Sequence, residues 1–184
     1  RSHFCPLRRE HGIFARGDGS QLIRPYAIAA CLSAVAALSP RAALAHPHVF
    51  AEATLEVEVG PDHTVHSLGH VWRFDDLFSA TVLMEFDKNK DRKLDDAELA
   101  EVGRTVHDSL ADFGYFQMVT ANGKDVAMKP PAELIATYDK QQLIIMFESA
   151  PEKPLKLAGK IDFGIYDPTF YTAIDFTSDD MMKV

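Results

Sequence analysis

From Val49 to Val59 the chain alternates. Val49, Ala51, Ala53, Leu55, Val57 and Val59 fall on one side, and Phe50, Glu52, Thr54, Glu56 and Glu58 on the other. That period of two is the signature of a half-buried strand. "GPDH" (60–63) predicts a turn, and "TVHSLGHVWRF" (64–74) predicts a second strand. Residues 75–113 change to helical spacing, with a charged break in the middle. Strand patterns return in "YFQMVT" (115–120), "ELIATYD" (133–139), "QLIIMF" (142–147), "LKLAGKIDFGIY" (155–166) and "FYTAIDF" (170–176), bounded by Gly, Pro or Asp clusters. The pattern predicts an α+β, mainly β domain: an antiparallel β-sandwich with an inserted EF-hand-like helix-loop-helix.

The break in the helical segment has its own logic. "DKNKDRKLDDAE" (87–98) sets Asp87, Asn89 and Asp91 at positions 1, 3 and 5 of a twelve-residue loop. Lys93 offers a backbone carbonyl at position 7, Asp95 stands at position 9 and Glu98 at position 12. A chain coiling around Ca²⁺ needs oxygen donors at this alternation, closed by a carboxylate that can grip with both oxygens. Position 6 requires positive φ and is normally Gly; here it is Arg92, which costs about 1 kcal/mol. Lys88, Lys90, Arg92 and Lys93 add positive charge near the ion. The expectation is weak Ca²⁺ binding, in the millimolar range of extracellular sites; the plainer alternative is a solvated turn held by Asx hydrogen bonds.

The start of the chain changes how charge and cysteine are read. Residues 1–24 carry Arg1, Arg8, Arg9, Arg16 and Arg24. An apolar run of 13 residues follows (26–38), then "SPRAALA" with small residues at Ala43 and Ala45. This order predicts a signal peptide over 1–45, its apolar run too short for a span, and a single periplasmic β-rich domain over 46–184 with a helical insert at 75–113. Residues 1–45 hold 6 of the 19 Lys+Arg, 2 of the 27 Asp+Glu and both cysteines. What remains has 13 basic and 25 acidic side chains and no thiol. The acidity argues against nucleic acid, and any metal must be held by imidazole and oxygen.

Cleavage after Ala45 would begin the mature chain His46-Pro47-His48. With the hairpin turning at 60–63, Val59 would pair with Thr64, and His48 would lie opposite Asp75. His46, His48 and Asp75 then predict a transition-metal site for Ni²⁺, Co²⁺, Zn²⁺ or Cu²⁺, with the free amine of His46 as a further donor. Pro47 lacks an amide hydrogen, which blocks the chelate that uses deprotonated amides at residues 2 and 3. His66 and His70 are expected on the apolar face of the second strand, about 13 Å apart and unable to share an ion. A buried neutral His with one hydrogen bond is the plainer reading, and His70 is the better functional candidate. His63 and His107 are expected at the surface. Ser79 lacks a nucleophile elbow, and no other catalytic constellation stands out, so the expectation is a protein that is not an enzyme.

The ordered set "HPHVFAEATLEV", "GHVWRFDDLFSA", "DKNKDRKLDDAEL", "FGYF" and "YDPTFY" resembles, across nearly all of 46–184, a family of uncharacterised bacterial periplasmic proteins. Its members are labelled as periplasmic components of an ABC-type transport system and are often encoded beside, or fused to, nickel/cobalt-type membrane transporters. The resemblance carries His46, His48, His70, Trp72 and Asp75 as motif positions, and departs at Arg92, where members usually have Gly. It implies a periplasmic divalent-metal-binding accessory of a transition-metal transport system, with a membrane metal transporter as partner. The alternative is a calcium-stabilised structural or interaction module with no transition-metal role.

Overall fold

β1 (Val49–Val59) and β2 (Thr64–Phe74) form an antiparallel hairpin whose alternation places Val49, Ala51, Ala53, Leu55 and Val57 in the core. They belong to a computed structural model that describes residues 47–184. The predicted signal peptide over 1–45 and the candidate ligand His46 lie outside the described residues. After β2 come α1 (Asp76–Phe86), α2 (Asp96–Leu110), a 3₁₀ segment (Ala111–Phe116), β3 (Gln117–Ala121), β4 (Lys124–Asp125), β5 (Ile135–Asp139) and β6 (Gln142–Ser149). β7 (Leu155–Lys156), β8 (Ile161–Ile165), β9 (Thr172–Asp175), a 3₁₀ turn (Asp179–Met181) and β10 (Met182–Lys183) complete the order.

The fold is mainly β with two helices, and its sheets are not all antiparallel. A seven-stranded mixed sheet is ordered β10-β1-β2-β6-β5, with β9 also on β1 and β7 also on β2. β9 and β10 run parallel to β1, because the chain end returns along its outer edge in the same direction. The smaller sheet, β4-β3-β8, is antiparallel. The predicted strand 155–166 is two strands in different sheets; its interruption contains Gly159 at φ 79°.

One face of the larger sheet is covered by two different elements. Toward Val49 and Phe74 it meets the helices, in a cluster that includes Trp72, Val82, Val102, Phe116 and Leu143. Toward Val57 and Val65 it meets the smaller sheet through Val119 and Phe163. Each fully buried aliphatic or aromatic side chain contributes about 1.5–3 kcal/mol. Two contacts fix the helices. Ser79, fully buried, donates to the Asp75 carbonyl (2.7 Å) and accepts from the Leu143 amide (2.9 Å), which ties α1 to β6. Gly103 lets α2 close on the chain entering β5: a Cβ there would lie 2.2 Å from the Leu134 carbonyl oxygen.

The hairpin register differs from the expected one by two residues. Leu55 faces His70 and Ala51 faces Phe74, rather than Leu68 and Trp72. Two local features account for it. The turn closes one residue later, with the Gly60 amide bonding the Thr64 carbonyl (2.9 Å) and Val59 opposite Val65. An irregularity between Glu58 and Val59 then adds one residue in β2, at His66. A shift of two preserves the faces, but the irregularity turns His66 outward, so it does not share the core with His70.

Candidate functional site

The loop 87–98 begins where α1 ends and finishes one turn into α2. Its carboxylates are organised by backbone amides. Asp87 accepts from Asp91 (3.1 Å) and Arg92 (2.8 Å), Asn89 from Asp91 (2.8 Å), and Asp91 from Lys93 (2.9 Å). Asp95 caps α2 through the amides of Ala97 and Glu98, both at 2.9 Å. Glu98 joins the two ends of the loop: one oxygen accepts from Lys88 (2.8 Å), the other from Asp95 (3.0 Å), completing a capping box. It is 6% exposed. Arg92 adopts φ 66° and Lys90 φ 62°, so the chain takes the left-handed turn at position 6 without glycine. Each carboxylate oxygen carries two lone pairs, so these bonds leave acceptor capacity at Asp87, Asp91, Asp95 and Glu98, and the Lys93 carbonyl is a further oxygen. Among the described residues, however, no group of three or more His, Cys, Asp or Glu side chains is gathered as a metal cluster; a cation would have to draw these carboxylates inward.

The structure does not bring His48, His70 and Asp75 together. Asp75 is the N-cap of α1, accepting from Phe78 (2.9 Å), and its second oxygen accepts from the Phe50 amide (2.8 Å). With the observed register it stands opposite Phe50, not His48. His48 is exposed at the start of β1; its ring lies 5.3 Å from that of Tyr171, whose carbonyl receives the His48 amide (2.9 Å). His70 is five residues before Asp75 along β2, roughly 16 Å at the rise of a strand. His63 is exposed in the turn. His107 is half-buried rather than at the surface, with Nε2 3.0 Å from the Pro131 carbonyl and 3.1 Å from the Tyr115 hydroxyl.

His70 lies at the centre of the core, 2% exposed, stacked on Phe147 at 4.4 Å. Neither ring nitrogen has a hydrogen-bond partner. Burial pushes its pKa down to about 4, outweighing the opposing influence of Gln117. Gln117 is itself hydrogen-bonded by Ser149. Beyond it stands Trp72, whose ring stacks with Phe116 at 6.1 Å and meets Phe147 edge-on at 5.0 Å. Trp72, Phe74, Leu110, Phe113, Phe116 and Ile174 line an apolar cavity of about 340 Å³ between the larger sheet and α2.

Two of its walls were not legible as site elements in the sequence. "FGYF" runs through consecutive left-handed residues, Gly114 (φ 58°), Tyr115 (φ 55°) and Phe116 (φ 56°). "YDPTFY" folds around Asp167, which is 4% exposed. Its carboxylate accepts from the Thr169 amide (2.8 Å) and hydroxyl (2.7 Å) and from the Thr172 amide (2.8 Å). Burial raises its pKa, but these bonds together outweigh it and hold the group below the ordinary value. The Asp-Pro-Thr triplet is the signal that marks such an Asx turn.

Residues 31–184 match the family described as Protein of unknown function (DUF1007). The chain belongs to that family. No curated protein and no solved structure matches it. The DUF1007 match spans the loop 87–98, the buried His70 and Trp72, and both cavity walls. Among the described residues of this DUF1007 chain no helix is long and apolar enough to cross a membrane.

Proposed function

We propose that this protein is an exported interaction module whose helical pair is stabilised by Ca²⁺ at the loop 87–98. The observation that carries the reading is the buried Glu98, which links Lys88 to Asp95 across the loop while Arg92 holds the left-handed turn at position 6. Asp87, Asn89, Asp91, Asp95, Glu98 and the Lys93 carbonyl would supply the oxygens. Bound Ca²⁺ supplies charge neutralisation that lets these carboxylates pack together. The chain's own contribution is the capping box, which keeps α2 in register with the loop. Calorimetric titration with Ca²⁺ tests this: millimolar or tighter binding that Glu98→Gln weakens is expected, and identical heats for both chains would overturn it.

A second reading keeps a transition metal. His48 is exposed at the start of β1, two residues from His46. A processed N-terminus at His46 would therefore offer an amine and two imidazoles to Ni²⁺, Co²⁺, Zn²⁺ or Cu²⁺ with no help from Asp75 or His70. In that reading the protein is a periplasmic accessory of a membrane metal transporter, as the transport-system label of similar proteins implies. Titrating residues 46–184, with a native N-terminus, against these metals decides it. Micromolar binding lost in the His46→Ala/His48→Ala variant supports the accessory; no binding removes it.

A further inference from the structure

The cavity beside Trp72 is built unlike the rest of the core. It is open to solvent on one side, past Phe113 and Tyr171, and its volume of about 340 Å³ falls at the lower end of small-molecule sites. Trp72 is 1% exposed, and its indole Nε1–H has no hydrogen-bond partner. An unpaired buried donor is costly and uncommon in native cores. The edge-on contact with Phe147 places an aromatic ring near, but a ring face is only a second-order acceptor.

The walls point the same way. The "FGYF" turn keeps Tyr115 and Phe116 in left-handed backbone, a conformation costly for bulky residues that survives only where the surroundings enforce it. The opposite wall is fixed by the carboxylate of Asp167, which accepts three hydrogen bonds. The mouth is aromatic: Phe113 is 44% exposed and Tyr171 50%. The cavity thus has one rigid wall, one strained wall and an apolar entrance.

We propose that this cavity binds a small, neutral, largely apolar molecule carrying one hydrogen-bond acceptor, with the Trp72 indole as donor. A carbonyl attached to an aromatic or short aliphatic body fits the volume and the lining. Anions are disfavoured by Asp167, which lines the cavity as a carboxylate, and by the acidic balance of the chain; a cation would lose its hydration against the largely apolar lining. The Nε1–H is sealed from water in this structure, so an acceptor reaches it only when a wall gives. The "FGYF" turn is the wall already held in the costlier backbone conformation. Binding here does not require Ca²⁺, so it stands or falls separately from the loop.

Trp72 is the only tryptophan of the 184-residue chain, which makes the test direct. The full chain is titrated with 2-acetylnaphthalene and with 2-ethylnaphthalene, a similar shape without the acceptor. Tryptophan fluorescence and the single indole N–H proton resonance are followed. The expected result is saturable quenching by the ketone, a downfield shift of the indole proton, and binding about tenfold or more tighter than the hydrocarbon. Leu110→Phe, which fills the cavity, should abolish the response while the chain still unfolds cooperatively. If Leu110→Phe does not fold, Trp72→Phe followed by calorimetry replaces it and should bring both probes to equal affinity. Equal affinities in the unaltered chain, an unmoved indole proton, or no saturation would overturn the proposal. So would a concentration-dependent dimer that excludes the ketone, since the face would then belong to a second copy.

Discussion

The loop 87–98 and the cavity beside Trp72 both place unusual backbone under a cluster of chemistry-bearing side chains, yet they are built in opposite ways. The loop is contiguous: the backbone-amide hydrogen bonds that shape it join residues no more than ten positions apart. The cavity collects residues from β1, β2, α2, the 3₁₀ segment and the segment before β9. The loop is mostly polar and exposed, with Glu98 buried and Asp87 and Leu94 half-buried; the cavity is largely apolar. One region is specified by local spacing, the other by topology.

The contrast predicts where substitutions hurt most. Trp72→Ala should cost about 3–5 kcal/mol, because it removes a fully buried ring beside an existing void; chemical denaturation at neutral pH measures it. His70 should make stability depend on pH. Its folded pKa of about 4 lies below the unfolded value near 6.5, so the unfolded chain binds the proton more readily. Stability is therefore whole above pH 6.5 and falls by roughly 1.4 kcal/mol per pH unit as the pH drops toward 4. His70→Phe, which keeps a ring against Phe147, should flatten that part of the profile; an unchanged slope would place the titration elsewhere.

In the loop the effects are smaller. Glu98→Gln leaves a single acceptor oxygen, so one of its two backbone hydrogen bonds is lost and the capping box weakens, for about 1–2 kcal/mol without calcium. Arg92→Gly removes the strain of positive φ but loosens the unfolded chain, so a net gain on the order of 0.5 kcal/mol is expected. Its calcium affinity should rise up to about tenfold by titration. A loss of stability in Arg92→Gly would mean that the Arg92 side chain has a role its exposure does not suggest.

The same contrast explains what could be read in advance. The β1–β2 hairpin, the two helices and the loop between them follow from periods and spacings within a few residues, and these appear in the structure at nearly the expected positions. The register slipped by two because turn closure and a bulge depend on backbone detail that apolar alternation does not encode: both registers bury Leu55 and Trp72. That slip separates Asp75 from His48, and Asp75 is spent as a helix cap. The parallel return of β9 and β10, the division of 155–166 between two sheets, and the meeting of "FGYF" with "YDPTFY" over Trp72 are long-range events. They leave no periodic trace, only isolated Gly and Asp-Pro signals.

Thermal unfolding tests most directly the proposed stabilisation of the domain by Ca²⁺ through Glu98. The unaltered chain and Glu98→Gln are melted with 10 mM Ca²⁺ and with chelator, the concentration chosen from the roughly millimolar affinity expected. Calcium should raise the midpoint of the unaltered chain by several degrees and barely move that of Glu98→Gln. Midpoints that do not respond to calcium in either chain would contradict it.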